Sequence, residues 1–192
     1  MRYLVTCAIG LTMAALSAAG QSRGVTVLLD FRGEASPDAV SALQGELNRL
    51  LKPAGIDVGY HIGSELGPAA EPTDIIVVKF RGRCRRDGIS PVPDEHGPFA
   101  RTHVSNGQIL PFAEVACDRV QSSMRTKVGP RITEAMLGRA LARVVAHELY
   151  HIVGKTPHHS DEGIARRGLS SSDLVAESLA FAGHDLRKMH TP

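Results

Sequence analysis

His147, Glu148 and His151 stand in the order His-Glu-Leu-Tyr-His inside the largely apolar run LGRALARVVAHELYHIVG, residues 137–154. On an α-helix, residues four apart share a face, so both imidazoles can reach a single ion. Zn²⁺ takes imidazole nitrogen at about 2.0–2.1 Å, a reach that this spacing meets without backbone strain. Glu148 lies beside the pair. Its carboxylate can take a proton from a water that a metal acidifies towards a pKa of about 7, and return it to a leaving amine. Val144, Val145, Ala146, Leu149, Ile152 and Val153 surround the motif and are uncharged. Two histidines and a glutamate are costly to bury in such a helix unless they have partners. The plain alternative is a pair of structural histidines beside a chance glutamate.

Several elements must position this helix. Val25 to Phe31 (VTVLLDF) reads as a buried strand. Ser36 and Pro37 offer a helix cap and first position, and Val40, Leu43, Leu47, Leu50 and Leu51 follow at helical spacing until Pro53 and Gly55. Ile56–Ile62 and Asp74–Phe80 read as further strands, and 82–98 as a long loop rich in Gly, Pro, Asp and Arg. Residues 102–104 and 108–117 read as a hairpin turning at Asn106-Gly107. The pattern predicts a long helix over Ile132–Val153, and a short last helix from a Ser172-Asp173 cap to about Phe181.

The chain has 192 residues, a net charge of +2 and 43% hydrophobic residues, which suits one ordinary folded domain rather than a disordered chain. Eight aromatics and weak net charge argue against a base-stacking, nucleic-acid-binding surface. Arg2, the uncharged stretch Tyr3–Ala19 and the small residues Ser17 to Gly20 have the order of a secretory signal peptide, so residues 1–20 are expected to be removed. The remaining 21–192 would form the domain, secreted or periplasmic. A membrane enters only if that N-terminal segment is retained as an anchor. Of three cysteines, Cys84 and Cys117 then remain, in a compartment that permits their bridging.

The His147-Glu148-x-x-His151 helix resembles that of the zincin metallopeptidases, in which it supplies two zinc ligands and the general base. The upstream order of strands is similar to the zincin catalytic subdomain. The resemblance implies an α+β, zincin-like catalytic domain with a twisted mixed sheet, the active-site helix and a short C-terminal part. Gly154 is similar in place to the metzincin glycine, which ends the helix in a left-handed turn. The metzincin third ligand, however, would fall on Pro157, which cannot bind zinc. One or two extra residues in the turn would bring His158 or His159 instead. The stretch HELYHIVGKTPHHSDEGIA is also similar to exported bacterial proteins with an HELYH helix and a later Thr-x-x-His, and on that resemblance His159 takes the ligand place. Asp161 and Glu177 remain as carboxylate alternatives, Glu177 in the manner of gluzincins.

The expectation is therefore a zinc metallopeptidase, monomeric, with His147, His151 and His159 on the metal and Glu148 as base. Its substrate would be a peptide or protein, lying along an edge strand at 108–115, where Pro111 suits an edge. The rival is a non-catalytic zinc-binding or interaction module on the same fold; a further rival is a membrane-anchored structural domain without metal. Arg81, Arg83, Arg85 and Arg86 read as a solvated basic loop, His61, His96 and His103 as structural or exposed, and Tyr150 and Met189 as packing residues.

Overall fold

The computed structural model describes residues 22–63, 74–87 and 97–190. The signal peptide expected at residues 1–20, His96 and much of the 82–98 loop lie outside the described residues. The elements are β1 (Arg23–Phe31), α1 (Pro37–Leu51), β2 (Ile56–Ile62), β3 (Ile75–Arg81), β4 (Ala100–Ser105), β5 (Gln108–Ala116), α2 (Cys117–Val128), α3 (Glu134–Val153), α4 (Ser171–Val175) and α5 (Gly183–His190). They form an α+β fold around a five-stranded mixed sheet of order β2-β1-β3-β5-β4. The first four strands in that order run parallel, and β4 lies antiparallel to β5.

Alternation decides what each strand buries. Val25, Val27 and Leu29 of β1, Ile76, Val78 and Phe80 of β3 and Val115 of β5 join one core with Leu43, Leu47 and Leu50 of α1. Leu137, Leu141, Val144, Val145 and Leu149 of α3 complete it, each burial contributing roughly 1.5–3 kcal/mol. The two helices approach closely at Gly138, where a Cβ would collide with the carbonyl of Ala39. Thr133 caps α3, its hydroxyl oxygen accepting from the Met136 amide at 3.2 Å. The helix thus begins two residues after the expected Ile132. The expected bridge is present: Cys84, after β3, is joined to Cys117 at the start of α2.

Three expectations are corrected. Phe112–Ala116 is not an edge, because it pairs with β3 on one side and β4 on the other, whereas the β3 ladder does not reach 108–111. Pro111 thus lies beyond the β3 ladder, and on the β4 side residues 110–112 stand opposite the single residue His103, between the pairs Thr102–Ala113 and Val104–Ile109. That irregularity asks no ladder hydrogen bond of the proline. The edge is β4. Second, α2 was not expected at all; its polar sequence carries only Cys117, Val120 and Met124 inward, with Gln121. Third, the predicted last helix is replaced by two. Ser170 closes a capping box with Asp173, α4 stops when Ala176 turns extended, and α5 begins only at Gly183. Among the described residues, no helix is long and apolar enough to cross a membrane.

Candidate metal centre

The last two turns of α3 present His147 and His151 on one face, with their Nε2 atoms 3.2 Å apart. Two nitrogens on a tetrahedral Zn²⁺ stand about 3.3 Å from each other, so this separation already suits two corners of such a site. The chain then reverses. Gly154 keeps a right-handed helical conformation (φ −78°), and Lys155 takes the left-handed one (φ 44°), contrary to the expectation that Gly154 would make that turn. The reversal comes one residue later than a glycine-ended helix would give, and Pro157 continues the turn. The imidazole that returns to the helix is that of His159. The donor nitrogens of His147, His151 and His159 all lie within 4.8 Å of one another.

Backbone carbonyls fix the tautomers. His147 Nδ1 donates to the Ile164 carbonyl at 2.8 Å, and His151 Nδ1 donates to the Thr156 carbonyl at 2.7 Å. Each ring therefore turns its other nitrogen, Nε2, towards the other ring, the arrangement by which outer partners prepare histidines for metal. Burial pushes His147 down to about 4, against the raising effect of its bond to Ile164, so the ring is neutral at pH 7. Burial likewise lowers His159, helped by the neighbouring His151, His147 and Arg167. Two Nε2 atoms 3.2 Å apart need a proton or a metal cation between them. The three donor nitrogens lie close enough together to hold a metal ion, and imidazole is a ligand that suits Zn²⁺.

Glu148 is 6% exposed. Burial pushes its carboxyl up, partly opposed by the Thr102 hydroxyl and by His151. Thr102 Oγ1, from β4, donates to Glu148 Oε2 at 2.6 Å. Thr102 was not singled out from the sequence, where it is one threonine in a hairpin; nor were the carbonyls of Thr156 and Ile164, which no side-chain pattern reveals.

His158, Asp161 and Glu177, the alternative third ligands, are exposed and stand outside the cluster, Glu177 in the non-helical stretch after α4. Tyr150 is fully buried, packed against Phe181 and bonded at its hydroxyl by Lys188 Nζ (3.3 Å). Met189 is core. His103 packs on Phe112 and lies 3.6 Å from Glu114, outside the metal cluster, and His61 sits half-buried in β2. The basic loop is locally paired: Arg81 with Glu114, Arg85 with Glu34 and Asp87, Arg86 with Glu134.

A cavity of about 320 Å³ opens on His147 and Glu148, walled by Phe99, Ala100, Val144 and Leu169, with Arg167 at its lining. A larger hollow of about 650 Å³ lies where β5 parts from β3, and none of the four site side chains reaches it. No family model, no curated protein sequence and no solved structure matches the chain.

Proposed function

We propose that this chain is an exported zinc-dependent peptidase of the zincin kind, with His147, His151 and His159 as metal ligands and Glu148 as general base. One observation carries the reading: a helix and the loop after it bring three imidazoles to one point, beside a buried carboxylate and at the mouth of a cavity. A Zn²⁺ held there would polarise a scissile carbonyl and make water nucleophilic near neutral pH. Glu148 takes the proton of the attacking water, and the resulting carboxylic acid returns it to the amine nitrogen as the peptide bond breaks. A raised carboxyl suits that second duty, since the acid form is then easier to reach. Edge strand β4 runs beside α3 with one side unpaired among the described residues, and an extended polypeptide can add to it by backbone hydrogen bonds. The 320 Å³ cavity has the size and the apolar walls for one side chain of that polypeptide. The disulfide supports export.

The test joins elemental analysis to turnover of a mixed peptide library. One zinc per chain with cleavage is expected, and Glu148→Gln should retain zinc while losing about 10²–10⁴-fold in rate. Cleavage that survives Glu148→Gln rejects the assigned base. Zinc without any turnover replaces the peptidase with the non-catalytic zinc-binding module.

A further inference from the structure

We infer that Thr102 is a positioning residue for Glu148, holding one carboxylate oxygen so that the other is the one that accepts the proton. The inference rests on the peptidase reading of the site, and it is carried by geometry. Thr102 Oγ1 lies 2.6 Å from Glu148 Oε2 and 3.4 Å from the Glu148 carbonyl oxygen. A hydroxyl has one proton to donate, and the shorter contact has the length of an O–H···O⁻ bond to an ionised acceptor. Oε2 is thereby engaged and Oε1 left for chemistry. No other hydrogen bond to this carboxylate is found among the described residues, although Glu148 is buried in the apolar end of α3.

The bond joins residues 46 apart in sequence, the edge strand to the helix. Two features hold Thr102 in place. It forms the last pair of the β4–β5 ladder before the irregularity at His103, opposite fully buried Ala113. Its neighbour Arg101 points to the other face and is tied to Glu114 at 3.3 Å. Threonine is also stiff about χ1 and favoured in strands, so its hydroxyl is held in direction as well as in place. A carboxylate free to rotate would spend part of its time with neither oxygen directed at the water, and misplacement of a reacting group by about 1 Å can cost about 10²-fold in rate.

The test compares wild type, Thr102→Val, Thr102→Ser and Glu148→Gln in the full chain, each loaded with zinc and assayed on one peptide cleaved by the wild type. Valine keeps the shape and removes the hydroxyl. Thr102→Val is expected to hold one zinc, keep KM within about 2-fold and lose about 10–100-fold in kcat, with Thr102→Ser recovering most of the loss. A Thr102→Val kcat within about 2-fold of wild type, beside an inactive Glu148→Gln, overturns the positioning role and leaves the peptidase reading standing. A Thr102→Ser variant as slow as Thr102→Val overturns it too, because the methyl group and not the hydroxyl would then matter. If the wild type cleaves nothing, the peptidase reading fails. Crystal structures of the metal-free wild type and Thr102→Val then decide: a Glu148 carboxylate displaced in the variant supports the inference, and one left in place overturns it.

Discussion

Two polar clusters lie along α3 one turn apart, one buried and one opening to the surface at His159, and they are built on opposite plans. Arg143 is fully buried, its Nε donating to Glu46 Oε1 at 3.0 Å and its Nη1 to the carbonyls of Asp173 and Leu174. Glu46 is held again by Arg49. Cation meets carboxylate and donors meet acceptors, so the cluster is largely complete within the chain and ties α3 to α1 and α4. Four residues on, ring nitrogens of His147, His151 and His159 gather with no carboxylate among them. A polar group buried with its complement is structural. Groups gathered with their like call for something brought from outside, and in the proposed function that something is a Zn²⁺.

The contrast can be broken most forcefully at its structural half. Arg143→Met leaves Glu46 buried without one of its cations, and should lower stability in urea by about 3–5 kcal/mol. His147→Leu in metal-free protein should change it by less than about 1 kcal/mol, because an apolar side chain replaces one with no favourable partner but a carbonyl. Equal losses from the two variants would erase the distinction. Reduction of Cys84–Cys117 should cost the scaffold about 2–4 kcal/mol by denaturant titration, while the folded protein still binds one zinc. Zinc itself should act only on the histidine cluster. At a free concentration of about 100 times Kd it adds about 2.7 kcal/mol in thermal unfolding, and nothing in His147→Leu. The smallest effect concerns pH. Burial pushes the Glu46 carboxyl up, but Arg49 and Arg143 outweigh it and hold the group below the usual carboxylate range. Its contribution is therefore complete above the unfolded pKa near about 4.3 and is lost as pH falls through the lower folded value. Acid titration of Glu46→Gln should lack that component; an unchanged acid limb would assign it elsewhere.

What the sequence disclosed follows from where each signal lies. The HELYH spacing is local, and so were the strands, α1 and the body of α3, whose apolar periods are strong. His159 was weighed against three other donors because its place depends on a loop reversal at Lys155 that no periodicity announces. Thr102 was invisible, since a bond between an edge strand and a helix is made by tertiary packing. Pro111 marked the half of β5 that β3 leaves unpaired, but not that 112–116 are enclosed between β3 and β4, which only the pairing of neighbouring strands tells. α2 escaped because few of its side chains are apolar, whereas α4 was anticipated, with Ser172 expected where Ser170 makes the cap.

One stretch of backbone has a consequence for how this protein can vary. Thr156, His159 and Ile164 lie on the single loop that leaves α3, and they supply the lock on His151, the third donor and the lock on His147 in turn. Insertion or deletion of one residue within 156–164 would put the groups on its two sides out of phase, whereas most single substitutions at its exposed tip, Asp161 and Glu162, alter none of them. The length of this loop, more than the identity of its tip residues, keeps the three groups in register.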